Sequence, residues 1–348
     1  MPDFKKHIIH ENAQISVALN MLNDLGENLT LFAINEKEEL TATLTDGDVR
    51  RGLLNGYGIT ESISKITNSN FFFIKKGHES LSEVIRAKQK GIQILPIVND
   101  KMKIVNMVFF SVNKSYLPLD CLIMAGGEGI RLRPLTEHLP KPMLKIGDKP
   151  IIEHGIDMLK QYGIENIQIS INYLGDKVIE YFGDGTNKNL NISYIRENKK
   201  LGTIGSLSLA DNFTNDVILV MNSDLLTNIN LEDFYLDFIN KNADMSVASI
   251  PYTVNIPYAI MDIQNENIVG LKEKPNLTFQ SNAGIYLIKK LFIEKIPLNE
   301  VYNATDLIEN LISNKNKVIY YPILGYWLDI GKMDDFRKAQ EDVKHIKL

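Results

Sequence analysis

A short apolar run, Cys121 to Met124, breaks into Ala125-Gly126-Gly127-Glu128-Gly129-Ile130-Arg131-Leu132-Arg133-Pro134-Leu135-Thr136, with Pro140-Lys141-Pro142-Met143 close behind. No other stretch restricts the chain as tightly. The apolar run reads as a buried strand. Three glycines after it let the backbone bend sharply and bring its N–H groups against an anion. Two arginines and a lysine fix positive charge in the same loop. Such a loop suits a triphosphate, although its spacing is neither that of a Walker A loop nor that of the dinucleotide fingerprint.

From Leu119 onward strand and helix signals alternate. Ile152, Ile156, Leu159 and Tyr162 recur at helical spacing and Gly163 ends the pattern. Ile167–Ile171, Ile192–Ile195 and Val217–Met221 read as strands, Lys177–Phe182 as a helix, and Ser206–Leu209 as the start of another. This alternation predicts an α/β fold with a Rossmann-like, mostly parallel sheet covered on both faces. Ligands of such sheets sit beyond the carboxyl ends of the strands. The glycine loop after Met124 and the acidic turn Asn222-Ser223-Asp224 after Met221 both fall there.

The composite segment resembles the signature of the sugar-1-phosphate nucleotidyltransferases, roughly L-A-G-G-x-G-T-R-L-x-P-L-T followed by P-K-P. The resemblance runs from about Leu119 to the C-terminus. It implies transfer of a nucleotidyl group with Mg2+ as cofactor. Arg131 and Lys141 would be catalytic. Ala125, Gly126, Gly127, Gly129, Gly202, Thr203 and Asp224 would bind the nucleotide, and Asp224 and Asp329 would hold the metal. Glu273, Lys274, Asn282 and Gly284 would take the sugar and its phosphate. Two departures stand out: Ile130 occupies a place where the family has Thr or Ser, and Lys332-Met333 replaces the usual Thr-Pro after Asp329-Ile330-Gly331. Glu197, a pure acceptor, would suit the N1–H and amino donors of guanine; a solvent-facing role is the alternative. Asn172-Tyr173 follows another strand end and would line the sugar pocket.

Residues 1–112 contain two loosely similar halves. One runs through Ala13–Leu25, Leu29–Asn35, Leu40–Leu44 and Asp46–Leu54, the other through Leu81–Lys90, Ile94–Asn99 and Ile104–Phe110. Each reads as helix, strand, turn, strand, and a period of about 65 residues suits a two-copy module rather than a solenoid. This half resembles a tandem CBS (Bateman) pair, on Leu95-Pro96-Ile97-Val98-Asn99 with Ile104-Val105 and on Thr45-Asp46-Gly47-Asp48. The resemblance implies a regulatory nucleotide at Thr45 and Asp48. Helix capping explains the same residues equally well. The expected division is a CBS-like module over 1–112, a linker over 113–119 and a nucleotidyltransferase domain over 120–348.

At 348 residues the chain is long enough for two cores. A net charge of −5 gives no reason to expect nucleic acid or an anionic membrane as partner. A single cysteine excludes an internal disulfide framework and fits a reducing, cytoplasmic setting. The N-terminal residues lack a signal-peptide core. A CBS-like pair ahead of a nucleotidyltransferase resembles bacterial enzymes of nucleotide-sugar synthesis. The expected reaction transfers a guanosine monophosphate group from GTP to glucosamine-1-phosphate or a similar sugar-1-phosphate, releasing pyrophosphate. Alternatives are a mannose- or heptose-1-phosphate guanylyltransferase, a uridylyl- or thymidylyltransferase, or an inactive nucleotide-sensing subunit. Retention of Arg131, Lys141, Asp224, Lys274 and Asp329 favours an enzyme. A homo-oligomer is expected, since CBS-like pairs associate through their helices in that family.

Overall fold

In the computed structural model, which describes residues 3–77 and 80–346, the chain divides into two units. One is Met1–Pro118 with Lys160–Ile164, the other Leu119–Leu159 with Glu165–Leu348.

The first unit contains β1 (Ile8–His10), α1 (Ile15–Leu25), β2 (Thr30–Ile34), β3 (Leu40–Thr45) and α2 (Asp46–Leu54), then β4 (Ile74–Lys75), α3 (Leu81–Gln89), β5 (Ile94–Val98) and β6 (Ile104–Phe109). β2 pairs parallel with β1 and antiparallel with β3; β5 pairs in the same two senses with β4 and β6. Each half is therefore a strand, a helix and a hairpin. The opening strands β1 and β4, of three and two residues, escaped the sequence reading because no period can be detected over so short a run. Alternation along β2 splits its side chains between two cores. Leu31 and Ala33 pack with Ile15, Ala18 and Leu22 of α1, while Phe32 packs with Ile94, Val98, Met107 and Phe109 from the second half.

The second unit opens with β7 (Asp120–Ala125), the two-residue pair β8 (Lys145–Ile146) and β9 (Lys149–Pro150), α4 (Ile151–Gln161), β10 (Asn166–Ile171), α5 (Asp176–Phe182) and β11 (Asn191–Arg196). It continues with β12 (Val217–Asn222), β13 (Leu225–Thr227), α6 (Leu231–Asn240), β14 (Met245–Asn255), β15 (Ile260–Gln264), β16 (Asn267–Lys272), β17 (Asn276–Lys289) and α7 (Lys290–Ile293). Last come α8 (Ala304–Ser313), β18 (Val318–Pro322), β19 (Trp327–Asp329) and α9 (Met333–Asp342). The central sheet has seven strands in the order β11-β10-β7-β12-β17-β14-β18. Only β17 runs against its neighbours; the other pairings are parallel. Cys121, Leu122 and Ile123 of β7 are all at most 1% exposed, so this central strand is covered on both faces and reads as an unbroken apolar run. Ile152, Ile156 and Leu159 bury the predicted stripe of α4.

One expectation is corrected. Ser206–Leu209 does not open an α-helix; Gly205–Leu209 is a single 3-10 turn that ends at Ala210, where the chain turns through Asp211 and the left-handed Asn212. The apolar strand Ala283–Ile288 is the buried half of the longer β17, whose first residues, Asn276–Gln280, are exposed. No helix among the described residues is long and apolar enough to cross a membrane.

Candidate active site

Register brings the loops together. Ile171 of β10 lies opposite Ala125 of β7, and Asn222 of β12 lies opposite Met124. Arg196 of β11 stands opposite Ile171 in turn. The segments that follow these strands, Gly126–Arg131, Asn172–Gly175, Glu197 and Ser223-Asp224, therefore emerge at one edge of the sheet.

A cavity of about 710 Å3 opens there, bounded by the glycine loop, Arg131, Lys141, Glu197, Gly202-Thr203 and Asp224. Gly129 has φ +62°, a left-handed conformation that starts the 3-10 turn Ile130–Leu132. A Cβ at this position would stand 2.9 Å from Lys141 Cβ and 3.0 Å from Thr136 Cγ2, so the loop can close onto Lys141 only without a side chain. Thr136 Oγ1 donates to the Gly129 carbonyl at 2.9 Å and fixes the turn from the other side.

Lys141 is buried beside the two aspartates. Its ammonium is hydrogen-bonded to Asp224 Oδ2 and lies 3.9 Å from Asp329 Oδ1. The aspartates, distant in sequence, meet because β13 and β19 pair antiparallel with Leu225 opposite Asp329, and the Ile330 N–H donates to the Asp224 carbonyl at 3.0 Å. Burial, then the neighbouring Asp224 carboxylate, raises the Asp329 carboxyl above its ordinary range, against the pull of Lys141 and Arg131. Asp224 Oδ1 and Asp329 Oδ1 are buried and accept no hydrogen bond. Orphaned acceptors of this kind are costly unless a ligand satisfies them. Among the described residues no cluster of three or more His, Cys, Asp or Glu suits a metal. Two carboxylates form an oxygen donor set of the kind magnesium accepts, waters and substrate phosphate oxygens completing its shell when it is bound.

Glu197 is not a free surface acid. Its carboxylate accepts from Ser170 Oγ and from the Leu201 N–H at 3.3 Å, and a Cβ at Gly126 would lie 3.0 Å from Glu197 Oε1. Gly202-Thr203 docks on the start of α8: Thr203 Oγ1 accepts from the Ala304 N–H at 2.8 Å, and the Thr203 N–H donates to Asn303 Oδ1 at 3.2 Å. Across the cavity Lys200 pairs with Glu128 at 2.7 Å.

Other anticipated residues fall elsewhere. Ala125 is the buried last residue of β7 and does not line the cavity. Glu273 and Lys274 are exposed on the turn between β16 and β17 and are absent from the cavity lining, because that turn rides on a projecting ribbon. Asn282 is exposed and uses Oδ1 to accept from the Gly284 N–H at 2.9 Å. Gly284 has φ +73°, and a Cβ there would lie 2.5 Å from Asn222 Nδ2, so it is the bare backbone of Gly284 that seats Asn222 in the cavity wall. Asn172 and Tyr173 brace the site rather than lining it: Asn172 Nδ2 donates to the Glu197 carbonyl at 2.9 Å, and Tyr173 Oη donates to the carbonyls of Thr136 and Glu137. Asn222, Lys200 and Glu128 were missed as wall residues; the adjacency of Asn222 to Asp224 was the available signal.

In the first unit, Thr45 and Asp48 form a capping box at the start of α2, and Asp48 also pairs with Arg51 at 2.5 Å. The same residues border a cavity of about 830 Å3 that is shared with Phe32, Asn68 and Phe71.

Residues 120–346 match the family model described as Nucleotidyl transferase. The Bifunctional protein GlmU of Methanocaldococcus jannaschii is 33% identical over 214 residues, covering 60% of this chain and 50% of that protein. The D-glycero-alpha-D-manno-heptose 1-phosphate guanylyltransferase of Aneurinibacillus thermoaerophilus is 29% identical over 216 residues, covering 61% of this chain and 92% of that protein. The crystal structure of HddC from Yersinia pseudotuberculosis complexed with GMP-PN superposes with a TM-score of 0.51 at 25% identity, covering 64% of this chain and 99% of that one. The chain spans about half the length of the first-matched curated relatives.

Proposed function

The chain belongs to the nucleotidyl transferase family, and on that premise we propose that it transfers a nucleoside monophosphate from a nucleoside triphosphate to a sugar-1-phosphate, giving a nucleotide sugar and pyrophosphate. One observation carries the reading: Asp224, the Lys141 ammonium and the glycine turn bound one cavity, and Asp329 lies beside that ammonium, its buried, unsatisfied Oδ1 3.9 Å away. A phosphate oxygen of the sugar-1-phosphate attacks the α-phosphorus, and the bond from that phosphorus to the β-phosphate bridging oxygen breaks. The acceptor is already an anion at neutral pH, so no base and no covalent nucleophile is required. The chain's task is to hold anions together and to stabilise charge on the leaving pyrophosphate. Gly126, Gly127 and Gly129 offer N–H groups to the triphosphate, and Arg131 and Lys141 face its charge. Asp224 and Asp329 would hold Mg2+, which supplies charge neutralisation and in-line alignment of the phosphates. Glu273, Lys274, Asn282 and Gly284 are assigned to the sugar and its phosphate.

GTP is the proposed donor and glucosamine-1-phosphate the proposed acceptor. Support for guanine comes from the held carboxylate of Glu197, an acceptor beside the glycine loop, and from the guanylyltransferase and GMP-PN complex among the similar proteins. Glu197→Ala is expected to lower the GTP-over-UTP preference at least tenfold, read as the ratio of kcat/KM values; an unchanged ratio removes Glu197 from base selection. The defining experiment incubates the full chain with magnesium, each nucleoside triphosphate in turn and a panel of sugar-1-phosphates, and measures pyrophosphate. Release with GTP and glucosamine-1-phosphate is expected. Silence across the whole panel overturns the reading in favour of an inactive sensing subunit.

The first unit is proposed to be a CBS pair binding a regulatory nucleotide at Thr45 and Asp48. Its two repeated halves and its 830 Å3 cavity support this. Calorimetric titration of the full chain with AMP, ATP and GDP tests it. At least one should bind, and Asp48→Asn should weaken that binding tenfold or more. Equal binding by the variant leaves Asp48 with its capping role alone.

A further inference from the structure

We propose that the projecting β-arm of the second unit, residues 250–281, is a self-association surface, and that its occupant is the same arm of a second copy of this chain. β14 pairs with β18 only as far as Ser249, and β17 pairs with β12 only from Ile285 onward. Between those points Ile250–Asn255 and Asn276–Ser281 are paired only with each other, a two-stranded ribbon. Its two faces differ sharply. Thr253 opposes Thr278 and Asn255 opposes Asn276 on one face, with the threonine hydroxyls 3.0 Å apart. On the other, Tyr252 opposes Phe279 and Val254 opposes Leu277. These four side chains are 59%, 56%, 38% and 39% exposed.

The hairpin β15–β16 repeats the pattern. Met261 opposes Leu271 and Ile263 opposes Ile268, and all four are at least half exposed. A two-stranded ribbon with an uncovered apolar face is marginal in water, and monomers rarely leave contiguous apolar patches of this size exposed. The arm therefore needs a cover.

Three features point to a second copy. The exposed apolar side chains of ribbon and hairpin present on the order of 1,000 Å2, against about 800 Å2 per partner in a stable dimer. Charge on the arm is sparse and nearly balanced, with Asp262, Glu266 and Glu273 against Lys272 and Lys274, which offers nothing to nucleic acid or an anionic bilayer. Both outer edges of the hairpin lack a strand partner among the described residues. A two-fold axis can bury such edges and apolar faces against their own copies, the self-complementary case that closed dimers require. The apolar side chains of the arm are absent from the lining of the cavity, and the variants below leave Glu273 and Lys274, on the same arm, in place.

The test measures the assembly mass of the full chain by sedimentation velocity, wild type beside the double variant Leu271→Glu with Phe279→Glu. The variant is expected to have half the mass of the wild type. Cross-linking keeps the proposal exposed to failure should the double variant misfold. Cys121 is buried, so Met261→Cys and Thr278→Cys each add one accessible thiol. A short bis-maleimide should give a covalent dimer with Met261→Cys and little with Thr278→Cys. Equal masses for variant and wild type, or equal cross-linking at the two sites, overturns the proposal. So does a monomeric wild type that binds neutral phosphatidylcholine vesicles, which would make the arm a lipid-facing surface.

Discussion

Asp224→Asn is expected to lower kcat by about two decades, corresponding to about 3 kcal/mol of lost transition-state stabilisation. The folded structure should survive, since the substitution keeps side-chain volume and leaves the Asp224 backbone carbonyl free to accept from the Ile330 N–H. The carboxylate charge is what disappears. Asp224 Oδ1 is buried without a hydrogen-bond partner while Oδ2 engages Lys141, so one oxygen is available to a divalent cation and the other balances an ammonium. Magnesium added without nucleotide should raise the melting temperature of the wild type and leave that of Asp224→Asn unmoved. Lys141→Ala should also lose about two decades of kcat, but its stability should respond more strongly to magnesium than the wild type does. Removing the ammonium leaves Asp224 and Asp329 facing each other with less compensation, and a cation that binds there restores it. Full activity of Asp224→Asn with the ordinary magnesium response would remove the metal assignment.

Asp120→Ala is expected to cost about 3 kcal/mol of stability while leaving kcat of the folded protein close to that of the wild type. Asp120 is the first residue of β7 and is 1% exposed. Its carboxylate accepts from the N–H groups of Thr214 and Asn215 at 2.6 and 2.8 Å, and from the side-chain amides of Asn166 and Asn215 at 2.9 and 3.0 Å. One acid thus ties two segments, the start of β10 and the loop at Thr214-Asn215, to the start of the central strand. Truncation leaves several amide donors buried or poorly paired, and each such loss costs about 1–3 kcal/mol when water cannot replace the partner. The site is spared because the glycine loop leaves the opposite end of the same strand, roughly 17 Å away at the rise of an extended chain. Urea unfolding monitored on the full chain checks the first part, and a loss under about 1 kcal/mol would show that water reaches these donors. Steady-state kinetics on the folded fraction checks the second.

Much of the site could be read because it is local. The glycines, Arg131 and Lys141 occur within one stretch, and the strand before them is covered on both faces, so the apolar run and the breaking of the pattern were both visible. Other parts are combinations of distant segments. Glu197 could be a surface acid on sequence grounds; Ser170 and the Leu201 N–H, which hold it, come from a neighbouring strand and a later loop. Asn222 entered the cavity wall because an antiparallel neighbour, β17, brings Gly284 beside it. The Glu273-Lys274 pair shows the converse. Its charges are legible in the sequence, whereas the length of the exposed ribbon that carries its turn comes from pairing between β14 and β17.

The sequence by itself determined the alternation of elements, the buried central strand and the cationic glycine turn, because periodicity, propensity and backbone freedom act over a few neighbouring residues. Tertiary structure alone decided that Asp224 and Asp329, about a hundred positions apart, share one ammonium, and that the apolar residues of the arm face outward. Both outcomes depend on strand register. Register is set by which faces the whole sheet can bury together, and no short window of residues contains that information.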